Sequence, residues 1–564
     1  MNSRDIEKIK NRLSYLYDDT FTESYFDHLI KTVQTFQKSK SIKATKWSEK
    51  DVILITYGDS ILQANQKPLV TLNNFLNANL QDTISYVHIL PFSPYSSDDG
   101  FSVIDYLQVD PNLGDWQDIK TLTKNFNLMF DLVINHISQD SQWFHNYLKG
   151  KSPGTDYFIE ADVNADLSDV VRPRSLPLLT KFDTVDGEKH LWTTFSSDQI
   201  DLNYANPELL LEMINVFLTY IQNGARIIRL DAVAFLWKEV GTNCVHHRKT
   251  HEIVKLLRDI AEIIDPNIII LTETNVPNKE NLSYFGEGDE AHMVYQFSLP
   301  PLLLHALFTG NASYLTDWAS KIETPNANCT FFNFSASHDG IGMRPLEGLL
   351  PQLEISNLAE GMKNNGGLVN TRRNQDGSDS IYELNITYFD ALKQTAQGAD
   401  IYQVDRFICS QTIMMSLQGI PAFYLHSLLA TPNYDEGVKK SGMNRSINRR
   451  KWHLDELTKL LNTETSNAQV FRELKRRIKI RTEHSAFHPN AKQQIIDCGD
   501  SFFGVKRTSE NSKSILSISN VTNKKQQFKN NEVTLSSSHD LITNSNISSS
   551  NLFLNPYQTM WLVN

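Results

Sequence analysis

Short apolar runs alternate with longer stretches of helical period along most of the chain. The runs are VILITY (52–57), ISYVHIL (84–90), LMFDLVI (128–134), ARIIRLDAV (225–233), IIILTE (268–273), MVYQFS (293–298), CTFFNFSAS (329–337) and IPAFYLH (420–426). Near-continuous apolar strands separated by helical segments are the pattern of a parallel sheet covered on both faces, and eight such strands close a barrel. Ahead of them Ile6, Ile9, Leu13 and Leu16 recur at helical spacing, which predicts a helical N-terminal extension over 1–48. Past Glu483 the segments QQIIDC, SFFGVKR, KSILSISNV and TMWLVN, with a Ser/Asn-rich patch at 535–551, predict a C-terminal antiparallel β domain over 483–564. The expected architecture is α/β, a (β/α)8 TIM barrel over 49–482 with loop-inserted subdomains.

Two connections are too long for plain crossovers. One, at about 137–204, contains VVRPRSLPLLTKFDTVDGEKH; the other, at about 340–399, contains NTRRNQDGSDSIYELN. Both follow the carboxyl ends of strands, where barrel enzymes build their sites from loops.

Composition narrows the partners. Across 564 residues, 54 Lys and Arg stand against 65 Asp and Glu, a net charge of −11, which argues against a polyanion such as nucleic acid. The basic run FRELKRRIKIRT (471–482) reads as the solvated face of a helix. Four widely spaced cysteines fit a reduced, cytoplasmic protein, and no run of about eighteen apolar residues points to a membrane. The HHRKTH stretch (His246, His247, His251) falls at a helix start without a carboxylate pattern, so no metal or other cofactor is expected.

Charged residues collect where the predicted strands end. Asp131 and His136 follow the third strand, Arg229 and Asp231 the fourth, Glu273 ends the fifth, and His338 and Asp339 follow the seventh. Arg229 and Asp231 are two apart and share a strand face, in a setting where isolated charges cost several kcal/mol each unless paired. Three carboxylates in one pocket suit cleavage of a glycosidic bond, which needs an ionised nucleophile on one face of the sugar and a protonated acid at the leaving oxygen. Arg229 is expected to depress the Asp231 pKa, and apolar neighbours with nearby carboxylates to raise that of Glu273.

FDLVINHIS, GARIIRLDAVAF, LTETN and SASHDGIG resemble, in order, the four conserved regions of the α-amylase superfamily, glycoside hydrolase family thirteen. The resemblance implies Asp231 as nucleophile, Glu273 as general acid/base and Asp339 as the carboxylate that stabilises the transition state, with His136 and His338 bonding the glucosyl unit. LITYGDSI, HILPFSPYSSDDGFSVIDY, RPRSLP and RSINRRKW are similar to the sucrose phosphorylase subfamily, whose members pass glucose to inorganic phosphate with retention. By that likeness Asp98, Phe101 and Arg449 line the glucose subsite, and Arg172 and Arg174 are candidates for phosphate.

The acceptor side departs from sucrose phosphorylases. Ser380 and Glu383 stand where Asp and Gln are expected, Phe235 where Tyr is common, and the chain is longer, as in another branch of the subfamily. That branch implies exchange of 2-O-α-glucosylglycerate and phosphate with α-glucose 1-phosphate and glycerate. Sucrose, sucrose 6-phosphate and glucosylglycerol stay open as alternative substrates, as does hydrolysis or transglucosylation. An acidic acceptor needs a cation, for which Arg372, Arg373 and Lys279 are candidates, and a homodimer is left open.

Overall fold

The computed structural model describes residues 1–37, 46–173, 176–373, 378–529, 538–547 and 552–563. Eight parallel strands close a barrel: β1 (Ile53–Thr56), β2 (Tyr86–Ile89), β3 (Asn127–Val133), β4 (Ala225–Asp231), β5 (Ile269–Thr272), β6 (Met293–Tyr295), β7 (Thr330–Phe334) and β8 (Ile420–Tyr424). Each lies within one of the eight apolar runs, save that β3 begins one residue earlier, at the exposed Asn127. Their side chains are buried almost throughout, because helices cover the outer face and side chains fill the interior. Pairing of Ile53 with Tyr86 on one side and Ala422 on the other closes the ring at β1.

The chain begins with α1 (Ser3–Tyr17) and α2 (Glu23–Phe36). Asn2 and Asp5 form a reciprocal capping box at the first, and Thr22 caps the second. Ile9, Leu13 and Leu16 are buried, the face that the spacing predicted. α1 lies along α4 (Arg248–Ile264), where Arg12 reaches Glu252 at 2.8 Å and Asp259 at 3.0 Å. α2 packs against α3 (Pro207–Gln222).

Both long connections rise from carboxyl ends of strands. The first carries a hairpin, Leu179–Thr184 with Gly187–Trp192, and pairs His136–Ser138 with Gln199–Asp201. The second forms a small sheet in which Asp379–Asn385 pairs with Leu368–Arg373 and with Ile341–Gly342. Both connections reach the strand ends, where Phe195 and Gln199 of the first and Tyr382 of the second line one cavity with Asp231 and Glu273.

The C-terminal segment is an antiparallel sheet of β9 (Lys492–Ile496), β10 (Phe502–Thr508), β11 (Ser514–Asn520), β12 (Ser538–Asp540), β13 (Ser545–Ile547) and β14 (Thr559–Val563), in the order β9-β10-β11-β14-β12-β13. It is joined to the barrel through α5 (Gln403–Ser416): Trp561 Nε1 donates to Ser416 Oγ, and Arg507 donates to the carbonyls of Ser416, His488 and Ala491. Arg507 is 0% exposed, and burial pushes its guanidinium down to about 9. Arg507→Ala strips three carbonyls of their donor and is expected to lower stability by about 2–4 kcal/mol. Chemical denaturation monitored by tryptophan fluorescence checks this, and an unshifted midpoint would contradict it.

Candidate active site

The register of two neighbouring strands sets the floor of the site. Asp131 on β3 lies opposite Arg229 on β4, and Val133 opposite Asp231. Arg229 Nη1 donates to Asp131 Oδ1 and, at 2.6 Å, to Asp231 Oδ1, while Nε donates to the Tyr295 hydroxyl at 3.0 Å. One guanidinium therefore serves two carboxylates. His88 Nε2 completes the lower layer at 2.6 Å from Asp131 Oδ2. Burial pushes the Asp131 carboxyl up, but His88 and Arg229 more than offset it and hold it at about 2.

Asp231 is left less well compensated. Burial pushes its carboxyl well above the usual range; Arg229 pulls it down, while Glu273 and Asp131 push it further up. Arg229 thus acts in the expected direction, but burial with Glu273 and Asp131 outweighs it, so the expectation of a net depressed Asp231 carboxyl is corrected. The pair forms as predicted, and the same guanidinium nitrogen also serves Asp131.

After Asp231 the chain turns sharply. Ala232 is left-handed, with φ of 53°, and its amide donates to Glu273 Oε2 at 3.0 Å. A strained non-glycine residue here fixes the general-acid candidate beside the nucleophile candidate. Burial raises Glu273 against Arg229, and Asp339 raises it further. Asp339 goes the other way: burial pushes it up, but Arg445, His338 and Arg449 hold it far below the usual carboxylate range. Arg445 Nη1 lies 2.7 Å from Asp339 Oδ1 and its Nη2 2.8 Å from Glu383 Oε1.

Two buried histidines wall the pocket. Burial takes His136 down to about 4 and His338 to about 3, so both are neutral at pH 7. His136 Nε2 bonds the Phe101 carbonyl at 2.9 Å, and His338 stacks on the Phe101 ring at 4.7 Å.

One cavity brings together Asp98, Phe101, His136, Asp231, Phe235, Glu273, His338 and Asp339, all expected from sequence. Arg449 lies behind this wall, donating to the His338 carbonyl at 2.9 Å and to Asp99 at 2.7 Å. Glu383 is buried behind Arg445 and accepts also from the Gly340 amide at 3.2 Å, so it holds a cation rather than facing the pocket. Arg172 is exposed and donates to the Leu176 carbonyl. Arg174 and the Arg373 side chain lie outside the described residues. Arg372 bonds Glu347 at 2.9 Å and Ser380 at 3.1 Å, and Lys279 is exposed.

A model of the alpha-amylase catalytic domain matches residues 83–339. A glucosylglycerate phosphorylase of Escherichia coli (strain K12) is 46% identical over 560 residues, 99% of this chain and 100% of the relative. The chain belongs to the alpha-amylase family, in its phosphorylase branch. A glucosylglycerate phosphorylase of Allomeiothermus silvanus is 49% identical over 453 residues, 80% of this chain and 81% of the relative. The crystal structure of sucrose 6F-phosphate phosphorylase from Thermoanaerobacter thermosaccharolyticum superposes with a TM-score of 0.73 at 28% identity, covering 86% of this chain and 95% of that one.

Within this alpha-amylase family pocket, sequence reasoning missed Phe195, Gln199, Asn275, Arg344, Tyr382 and Arg445. Arg445 had a signal: it shares the RSINRRKW stretch with Arg449, the residue that ends the 3-10 helix Asn444–Asn448 carrying Arg445. Beside Asn135 stands another unpredicted group, Lys238, whose ammonium lies 2.6 Å from Asn135 Oδ1 and 2.6 Å from Asp201 Oδ2. Burial pushes this ammonium's pKa down against the pull of Asp201. The three HHRKTH histidines have local partners: His246 meets Tyr284 and Glu280, His247 caps α4, and His251 meets Glu290 at 2.7 Å.

If Asp131 draws guanidinium charge away from Asp231, Asp131→Asn removes a negative neighbour and leaves Arg229 to Asp231 alone. The Asp231 titration is then expected to move to lower pH, read by carboxyl ¹³C NMR on labelled protein. An unmoved or raised midpoint would contradict the shared-cation reading.

Proposed function

We infer that this chain is a retaining glycoside phosphorylase that reversibly converts 2-O-α-glucosylglycerate and phosphate to α-glucose 1-phosphate and glycerate. The observation that carries the reading is the near full-length match to a glucosylglycerate phosphorylase, 46% identical over 99% of the chain. The three-carboxylate pocket at the strand ends supports the chemistry.

In the first half-reaction Asp231 attacks the anomeric carbon while Glu273 passes its proton to the departing glycerate oxygen, leaving a β-glucosyl ester. In the second, phosphate gives its proton to Glu273 and its oxygen takes the anomeric carbon from Asp231, restoring the α configuration. The raised Glu273 pKa suits the proton donor. Asp339, held ionised by Arg445, grips sugar hydroxyls, and neutral His136 and His338 bond the glucosyl unit with Asp98 and Phe101. Arg449 supports that subsite from behind His338 and Asp99.

The same reading divides the chain into an N-terminal extension (1–48), a barrel with its two insertions (49–482) and a C-terminal β domain (483–564). Among the described residues no helix is long and apolar enough to cross a membrane. Sugar and inorganic phosphate acting in the cytoplasm fit this reading, with a homodimer left to measurement.

Incubation with glucose 1-phosphate and an acceptor panel tests it by phosphate release. Release with glycerate ahead of fructose, fructose 6-phosphate and glycerol is expected. Release with fructose but not glycerate would overturn the acceptor, and sugar hydrolysis without phosphate release would overturn the phosphorylase reading. Asp231→Asn is expected to lower turnover by about 10⁴-fold without unfolding the protein, and near-wild-type activity in that variant would refute the nucleophile.

A further inference from the structure

The lining of the catalytic cavity carries two guanidinium groups among the described residues, Arg344 and Arg445. Arg445 is engaged on both sides, by Asp339 at 2.7 Å and Glu383 at 2.8 Å. Arg344 is not. It is 9% exposed, and its Nε is buried without a hydrogen-bond partner among the described residues. Glu347 Oε1 stands 3.8 Å from that Nε, beyond hydrogen-bond reach, and instead accepts from Arg372 at 2.9 Å. Two guanidiniums thus face one half-exposed carboxylate. A buried cation left in this state calls for an anion.

Position says which anion. Arg344 opens a 3-10 turn directly after the short strand Ile341–Gly342, five residues past Asp339, and Ser298 pins that turn by donating to the Pro345 carbonyl at 2.9 Å. Gly342 leaves room for Asn275: a Cβ there would stand 2.7 Å from Asn275 Oδ1 and 2.8 Å from its Nδ2. That Oδ1 is buried and also lacks a partner among the described residues. Asn275 lies two residues past Glu273, the group that protonates the departing oxygen. A cation with only a loose ion pair and a buried amide acceptor without a partner among the described residues therefore line the same cavity as Glu273 and Asp339.

We propose that Arg344 binds the acceptor's carboxylate, and that the Asn275 amide accepts from the acceptor's free hydroxyl. This rests on the phosphorylase reading above and deepens it, assigning the recognition of an acidic three-carbon acceptor to residues other than Arg372, Arg373 or Lys279. A planar guanidinium fork matches a carboxylate with paired hydrogen bonds, which an ammonium does not reproduce. Phosphate shares the anionic chemistry, so the test separates the two.

Phosphate release from glucose 1-phosphate is measured for wild type, Arg344→Gln and Arg344→Lys with glycerate and with glycerol, its uncharged analogue. In Arg344→Gln the KM for glycerate is expected to rise about 10- to 100-fold, as loss of a charge-assisted hydrogen-bond pair predicts, and the glycerate-to-glycerol preference to fall by a similar factor. Arg344→Lys recovers part of the preference and keeps the test open if the glutamine variant folds poorly. A glycerate KM equal to wild type in both variants would overturn the proposal. So would a rise in the KM for glucose 1-phosphate with glycerate affinity retained, which would assign Arg344 to phosphate. The wild-type arm reports separately on the underlying reading: release with other acceptors but not glycerate would remove both, whereas wild-type release with glycerate and no effect in either variant removes only the role of Arg344.

Discussion

One guanidinium shared between two carboxylates sets the terms for the rest of the catalytic pocket. Arg229 on β4 bonds Asp131 from the neighbouring strand and Asp231 two residues along its own. The barrel makes this unavoidable, because parallel register places Asp131 opposite Arg229 and strand pleat puts Asp231 on the same inward face. His88 on β2 and Tyr295 on β6 then fix the first carboxylate and the guanidinium. The apolar runs that build the ring thus position charges more rigidly than any loop does.

The sharing explains how four buried acids in one place divide their work. Asp131 bonds both His88 and Arg229, Asp339 pairs with Arg445, and both carboxyls are held low. Asp231 and Glu273 receive what remains, and burial raises both. A closely coupled pair of this kind titrates as a unit, so a proton at Glu273 makes ionisation of Asp231 easier. In the proposed mechanism, positive charge developing on a sugar ring above Asp231 supplies the compensation that the resting pocket withholds. The site is in this sense built for the transition state rather than for the ground state.

Much of this was readable from residue order. The eight strands announced themselves because a strand buried on both faces must be apolar throughout, and the carboxylates at their ends were conspicuous against that background. Asp98, Phe101, His136, His338 and Phe235 also fell in the cavity. What escaped was set by contacts distant in sequence. Choosing between Arg445 and Arg449 requires knowing which side of a 3-10 turn faces Asp339 and which faces Asp99. Arg344 enters the cavity after Ile341–Gly342 pairs with Asp379–Asn385, a contact that no local pattern encodes. Glu383 was singled out for its type, yet it supports Arg445 from behind. The expected net depression of Asp231 failed for a related reason: the sequence displays Arg229 beside Asp231 but hides the burial of the site and the approach of Glu273 and Asp131.

The central claim is that Asp231 carries the glucosyl group between the two half-reactions. The direct measurement is mass spectrometry of proteolytic fragments from the Glu273→Gln variant, quenched after reaction with a glucosyl donor whose leaving group needs no protonation. One added glucosyl unit on the fragment containing Asp231, assigned to that side chain by tandem fragmentation, is predicted. The same adduct on Asp339 or Asp131, or donor turnover with no adduct detectable at any time, would contradict it.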